Sequence, residues 1–356
     1  MKAVVLEGKG RMVYTDVAEP ERFGDRPVLV RVAAVGVCGS DLPRFADGAA
    51  YHYPLILGHE FSAVVEEAPH GSRFRGGDRV AVYPLIPDPT DPMTRSGEAP
   101  VSRGYDYFGS RRNGALAERL VVPEDNLIPI PEGVPLVSAA LVEPAAVSLH
   151  AVRKCSLPPH ADALVIGGGP IGAFAAMWLR ILGCSRVIVA EIDERKKEIL
   201  RKSGLEVLDA GSSDTVATIK GWTRDRGVDV AVEACGSGAT LEQALEAAAV
   251  FGQVVLLGDH HRDVTLRGTV ISSILRRELV IYGTWNSKIL PPRKSEWEMV
   301  LHHMGRGFRV EPFISHTLPL GDAPRMFAEM AARKVWYSKV VFIVSEEARQ
   351  EQRSGS

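Results

Sequence analysis

The sequence predicts an α/β protein of two domains, one β-rich and one built on a doubly wound parallel sheet. Three observations carry this. A chain of 356 residues is longer than a single ordinary core serves. Near residue 151 the rhythm changes from short strands split by Gly, Pro and Asp turns to apolar strands alternating with helical periods. The third is the run Ala163-Leu164-Val165-Ile166-Gly167-Gly168-Gly169-Pro170-Ile171-Gly172, with Glu191 following 19 residues after its last glycine.

In that run, 163–166 read as a buried strand and 171–183, apolar almost all round, as a helix laid on a sheet. Gly167, Gly169 and Gly172 fit G-x-G-x-x-G. The first allows a tight turn, the second lets the backbone approach a pyrophosphate, and the third lets helix and strand pack closely. Pro170 and Ile171 open the helix, whose first turn offers unpaired N–H groups to phosphates. A second apolar strand, 186–190, ends at Glu191. A carboxylate there accepts from both adenosine ribose hydroxyls and repels a 2′-phosphate, so NAD is expected over NADP. Asp193 and the basic Arg195-Lys196-Lys197 read as a solvated helix start, although they leave some NADP use open. An ordinary βα turn is the alternative, but the order strand, turn, helix, strand, acid favours the dinucleotide.

The remaining elements follow from the same patterns. Residues 1–150 form the β-rich domain, with strands at 28–37, 63–67, 79–83 and 120–122 and a Pro- and Gly-rich lobe over 83–104. Residues 151–285 form the Rossmann-type domain, with a charged helix over 193–203, a strand at 228–233, a helix near 240–249, and strands at 253–257 and 279–282. Residues 286–344 return to the first domain and end in a strand from 339, while the charged segment 345–356 is expected to be a disordered tail.

Composition narrows the function. With 42 basic and 44 acidic residues the net charge is −2, which calls for neither nucleic acid nor an anionic membrane. No stretch reaches the roughly 18 apolar residues of a membrane span, and the N-terminus has no long apolar signal core. Four scattered cysteines make no disulfide framework and fit a reducing cytoplasm; Cys155, Cys184 and Cys235 read as packed, inert thiols.

The side chains with chemistry lie upstream of the glycine run. Cys38 ends a strand in Val37-Cys38-Gly39-Ser40-Asp41, His59 and Glu60 stand in Leu57-Gly58-His59-Glu60-Phe61, and Glu143 in Leu141-Val142-Glu143-Pro144. A thiolate, an imidazole and a carboxylate are zinc ligands, and three of them leave an open position for substrate. Their spacing is too wide for a zinc finger, so only tertiary structure can bring them together. Alone, Cys38 reads equally as a buried thiol, His59 as a hydrogen-bonded core residue and Glu143 as an acid at a helix start.

Taken in order, Cys38-Gly39-Ser40-Asp41, Gly58-His59-Glu60, Gly77-Asp78-Arg79-Val80, Glu143-Pro144 and the glycine run resemble the zinc-dependent medium-chain alcohol and polyol dehydrogenases over about residues 1–344. Within that family the resemblance is nearest to the galactitol-1-phosphate 5-dehydrogenase group. It is carried by Cys38 to Arg44, Tyr53-Pro54, Leu57 to Ser62, Tyr105-Asp106, Gly109 to Arg112, Arg277-Glu278-Leu279, Trp285 and Glu296-Trp297-Glu298. The resemblance implies a GroES-like catalytic domain around a Rossmann domain, with the active site in the cleft between them. It places one catalytic zinc on Cys38, His59 and an acid, Glu60 or Glu143. Adjacent side chains seldom reach one metal, so the two acids are expected to share the role, one ligating and the other holding water or exchanging with it.

The implied chemistry is hydride transfer from a secondary alcohol to nicotinamide C4, with zinc lowering the alcohol's pKa. Ser40 resembles the family's proton-relay hydroxyl, whereas the relay histidine of some relatives is replaced by Pro43. Relatives hold a second, structural zinc on four cysteines in the lobe. This chain keeps that spacing but has Asp88, Asp91, Thr94 and Ser102, so the structural site is expected to be lost and the lobe held by packing. For the substrate, Arg111 and Arg112 beside Tyr105 and Tyr107 suggest a guanidinium contact to phosphate, against a solvated turn before Asn113-Gly114. Trp285, Lys288, Arg293 and Lys294 are further candidates. The expected substrate is a polyol or polyol phosphate; an unphosphorylated polyol or aminocyclitol is the alternative. A zinc-free reductase and a non-catalytic NAD(H)-binding regulator are the other readings. A homodimer or homotetramer follows from family habit.

Overall fold

The computed structural model describes residues 1–289 and 295–354. The chain divides into two compact units, Met1–Glu143 with Lys288–Ser356, and Pro144–Ser287. The boundaries thus fall at 143 and 287, against the 150 and 285 read from the change of rhythm. The chain leaves the first unit in the opening turn of one helix, Val142–Val152, which carries Glu143. That helix is apolar on most sides, so its pattern did not mark the crossing.

In the first unit the strand Pro27–Gly36 is central. Its alternation buries Val28, Val30 and Val32. It pairs antiparallel with Glu60–Glu67, Arg119–Pro123 and Lys339–Ile343. Strand Arg79–Val82 joins beyond Glu60–Glu67, and Ile314–Pro319 beside Lys339–Ile343. The C-terminal strand therefore lies next to a strand some 300 residues earlier. Residues from Lys288 onwards complete the first unit. Phe45, Phe61, Phe327 and Phe342 fill its core.

The second unit is a parallel sheet of six described strands in the order Glu206–Asp209, Arg186–Glu191, Asp162–Ile166, Val228–Glu233, Ala248–Leu256, Val280–Gly283. The order reverses beside Asp162–Ile166, the topological switch point at which open α/β sheets take ligands. Helix Pro170–Ile181 follows that strand and buries Phe174, Trp178 and Leu179. Helix Glu194–Lys202 is capped by Asp193, whose side chain accepts from Lys196 N. Helix Gly238–Ala247 gives way directly to strand Ala248–Leu256, earlier than the expected start at 253.

Two expectations are corrected. Residues Glu346–Ser354 form a helix and not a disordered tail. Their charges find partners: Glu347 pairs with Arg31, Glu351 with Arg79 at 2.9 Å, and Ala348 is fully buried. The lobe is held by more than packing. It contains the short helix Pro92–Arg95 and a turn of 3₁₀ helix at Ala99–Val101, stitched by side-chain hydrogen bonds described below.

Candidate active site

The metal-ligand candidates are positioned by the first unit's sheet. Cys38 lies just past the end of Pro27–Gly36, and Glu60 opens the neighbouring strand, with His59 immediately before it. Gly36 pairs with Glu60 across the ladder, and a β-carbon at Gly36 would meet the Glu60 carboxylate at 2.4 Å, so glycine is required where that side chain crosses the strand. The ligand atoms of Cys38, His59 and Glu60 all lie within 4.8 Å of one another, the only such group among the described residues. His59 and Glu60 are buried and Cys38 is half-buried. Thiol, imidazole and carboxylate converging in a buried pocket make a donor set that fits a zinc ion.

The surrounding groups hold these donors in place. Asp41 Oδ2 accepts from Cys38 N at 3.1 Å, and its Oδ1 lies 3.5 Å from His59 Nδ1, an electrostatic contact beyond hydrogen-bond geometry. Arg44 Nη1 donates to Asp41 Oδ1 and to Ser40 Oγ, and Ser40 Oγ in turn donates to Cys38 Sγ at 3.3 Å. Burial works against the charged imidazole of His59, but Asp41 and Cys38 outweigh it and hold its pKa well above the usual value.

The two acids are held differently. Lys339 Nζ donates to both Glu60 oxygens at 2.8 Å and to Val37 O at 2.9 Å, with lysine and glutamate both buried. Burial opposes the ammonium, yet Glu60 keeps its pKa raised. Glu143 lies outside the converging trio and accepts from Tyr107 OH at 3.2 Å. Burial pushes its carboxyl up to about 7; Glu60 adds to the rise, and His59 opposes it. Lys339 was not among the residues singled out in the sequence. It lies 279 positions from Glu60 and alternates like any strand residue, so no local pattern marks it.

An aromatic chain leads away from Glu143. The Tyr107 ring packs edge-on to His59 at 5.7 Å between centroids and to Tyr105 at 6.2 Å. Arg111 stacks 4.1 Å over Tyr105, with Tyr51 at 5.5 Å, and donates to Tyr105 O. Arg112 is engaged elsewhere, paired with Asp106 at 3.1 Å and stacked 3.5 Å over Phe23. The two arginines expected to act together therefore take different partners. Lys288 is paired with Glu98, and Trp285 is half-exposed on the second unit. Arg293 and Lys294 lie outside the described residues. A cavity of about 590 Å³ on the first unit is lined by Phe23, His52, Arg111 and Arg112 but by none of Cys38, His59, Glu60 or Glu143, and so is not where the reaction would occur.

In the lobe, Asp88 Oδ1 accepts from Thr90 N and Oγ1, and Asp91 accepts from Met93 N at 2.7 Å and from Arg103 N at 3.1 Å. Ser102 Oγ donates to Ala99 O.

In the second unit the glycine turn has the expected form. Gly167 has φ +104°, and a β-carbon at Gly172 would sit 2.0 Å from Gly167 O. Gly169 precedes the helix that starts at Pro170, with Ile171 in its first turn. Glu191 is buried with its carboxylate turned onto this turn. Oε2 accepts from Gly168 N at 2.7 Å, and Oε1 accepts from Ile192 N and Asp193 N. Three of its roughly four acceptor positions are thereby taken by backbone. Burial pushes the Cys155 thiol up to about 12 and the Cys184 thiol up to about 11, whereas Cys235, expected to be packed, is exposed.

The fold and this site define an oxidoreductase: the chain belongs to the family of zinc-type medium-chain alcohol and polyol dehydrogenases. The family model for the alcohol dehydrogenase GroES-like domain matches residues 24–132, and that for zinc-binding dehydrogenase matches 170–305. Among individual proteins, it is 32% identical to galactitol 1-phosphate 5-dehydrogenase of Escherichia coli K12 over 89% of this chain and 92% of the relative. It is 30% identical to L-idonate 5-dehydrogenase of Vitis vinifera over 90% and 88%. The crystal structure of the Escherichia coli galactitol-1-phosphate dehydrogenase superposes with a TM-score of 0.90 at 31% identity, covering 96% of this chain and all of that one. A structure described as a zinc-binding dehydrogenase of Sinorhizobium meliloti 1021 bound to NADP does so with a TM-score of 0.87 at 28% identity over 96% and 98%.

Proposed function

We propose that the chain oxidises a secondary alcohol of a polyol or polyol phosphate to a ketose, using one zinc ion and NAD. The observation that carries this is the convergence of Cys38, His59 and Glu60 within 4.8 Å, beside Glu143. Cys38 and His59 would hold the zinc together with one of the two acids. Glu60 completes the converging trio and is steadied by Lys339, and Glu143 would share the role by holding the bound water or exchanging with Glu60. A bound zinc supplies Lewis acidity that lowers the pKa of an alcohol oxygen.

Everything else falls to the chain. Asp41 and Arg44 orient His59 and Ser40, and the Ser40 hydroxyl, which donates to Cys38 Sγ at 3.3 Å, is the group we assign to carry the alcohol proton away. The turn Gly167–Gly172 and the first turn of Pro170–Ile181 hold the pyrophosphate, and Glu191 faces the ribose with its remaining acceptor position. NAD over NADP follows because an added 2′-phosphate would meet that buried carboxylate. We assign Arg111, stacked on Tyr105, as the guanidinium that a substrate phosphate would contact. The cysteines, unpaired as thiols, fit a cytoplasmic setting.

The edge strand Val280–Gly283 leaves Val280 and Ile281 more than 40% exposed, and Leu275 stands out from the neighbouring helix Gly268–Arg277. An apolar open edge is a template for strand pairing, and we assign it to a second copy of the chain. Ile281→Lys should then lower the mass seen by analytical ultracentrifugation.

The substrate is tested by NADH formation, with zinc present, from galactitol 1-phosphate beside galactitol, sorbitol and a cyclitol. A large kcat/KM preference for the phosphate, abolished by Arg111→Ala, supports the phosphorylated substrate. Turnover of unphosphorylated polyols or cyclitols alone keeps the zinc chemistry and removes the anion site. NADH binding without turnover of any alcohol or ketone would favour a regulator.

A further inference from the structure

The C-terminal helix Glu346–Ser354 docks on the first unit through three anchors. Val344 N and Ser345 N donate to Ala33 O, Arg31 pairs with Glu347, and Glu351 reaches across to the segment before Glu143. The last contact is specific. The short helix Leu136–Ala139 has Pro135 at its N-cap, which offers no side-chain acceptor for the exposed N–H groups of the first turn. Glu351 Oε2 fills that need, accepting from Leu136 N at 2.8 Å from 215 residues away. Its other oxygen pairs with Arg79 Nη2 at 2.9 Å, and the same nitrogen donates to Val134 O at 2.7 Å.

That short helix is tied to both sides of the proposed metal site. The chain runs from it through Ala140 and Leu141 directly into Val142–Val152, whose first turn carries Glu143. Its Leu136 carbonyl accepts from Ser62 Oγ at 2.7 Å in a buried contact, two residues along the strand from Glu60. Ser138 Oγ donates to Glu311 Oε1 at 2.7 Å.

We infer that the C-terminal helix is a strap, with Glu351 as a positioning residue that fixes the helix Leu136–Ala139 and so sets Glu143 against Cys38 and His59. The inference rests on the metal reading given above, in which Glu143 is one of the two acids that serve the zinc. A carboxylate brought to a metal by a flexible segment loses the preorganisation that partners of ligating groups supply, and such partners typically change metal affinity by about 10–100-fold.

The test uses the zinc-loaded full chain, a chain ending at Ser345, Glu351→Ala and Glu351→Gln. Zinc release to a chromogenic chelator and the visible spectrum of the cobalt-substituted protein are both measured. The truncated chain and Glu351→Ala should release zinc at least about 10-fold faster and show a shifted cobalt spectrum. Glu351→Gln, which keeps an oxygen for Leu136 N–H, should fall nearer the parent. Arg267→Ala, which loses two surface ion pairs with Glu242 and Glu246 in the second unit, should leave both readouts unchanged. Unchanged release and spectrum in the truncated chain, or an equal change in Arg267→Ala, overturns the strap. If the parent chain retains no zinc, the metal reading itself fails and the strap with it.

Discussion

Two acid-containing clusters of the first unit, the pocket around Cys38 and the lobe around Asp91, treat their donors in opposite ways. In the lobe, Asp88 and Asp91 are satisfied locally by backbone N–H groups of Thr90, Met93 and Arg103. In the pocket, thiol, imidazole and carboxylate converge in a buried place, and burial holds Glu143 above its usual pKa although it accepts from the Tyr107 hydroxyl. Donors that close on their own chain gain less from a cation. Buried donors that point at one another gain a great deal from one.

The largest effect expected on this contrast comes from the pocket. His59→Ala or Cys38→Ser should remove bound zinc altogether, a loss beyond the roughly 10–100-fold of an outer partner, read as metal content after dialysis. Retention of one zinc by both variants would break the comparison.

Next is Lys339→Met. It leaves the Glu60 carboxylate buried without its cation. Breaking such a pair costs about 3–5 kcal/mol, seen as a lower urea midpoint for the metal-free protein. An unchanged midpoint would show that water or another group compensates Glu60.

The pH dependence of metal binding sharpens the comparison further. Glu143 rises from the ordinary 4.5 to about 7 in the metal-free fold. A raised carboxyl is no handicap below the unfolded value, and its cost to stability grows as pH climbs from there through about 7. Zinc favours ionised Glu143 and needs neutral His59, whose pKa is also raised, so its affinity should climb with pH through about 7 and above it, with proton release measurable by calorimetry in two buffers of different ionisation enthalpy. Glu143→Gln should flatten that climb.

The smallest effect is expected in the lobe. Asp91→Ala loses the cap on Pro92–Arg95 and the bond to Arg103 N. A lost cap costs about 1 kcal/mol, so the lobe should be cut sooner by a protease while zinc content stays at the parent level. A fall in zinc content would mean that the lobe takes part in holding metal.

How much of this was legible in the sequence depends on how far apart the partners lie. The glycine turn was readable because Gly167, Gly169 and Gly172 share one turn and each answers a local steric need. Cys38, His59, Glu60 and Glu143 were readable as candidates only together, through their order and the family they resemble. Arg111 and Arg112 looked equivalent as neighbours, but the turn sends one onto Tyr105 and the other onto Phe23 and Asp106. Lys339 was invisible, since its partner is 279 residues away. The C-terminal helix was misread for the same reason. Glu347 and Glu351 look solvated in sequence, whereas Arg31, Arg79 and Leu136 N–H await them in the fold.

The most direct test of the account is zinc per chain, measured by mass spectrometry of the metal in the parent protein, His59→Ala and the Asp88→Ala, Asp91→Ala double variant. The account predicts one zinc in the parent, none in His59→Ala and one in the double variant. Two tightly held zincs in the parent, or zinc that survives His59→Ala and leaves with the lobe acids, would contradict it.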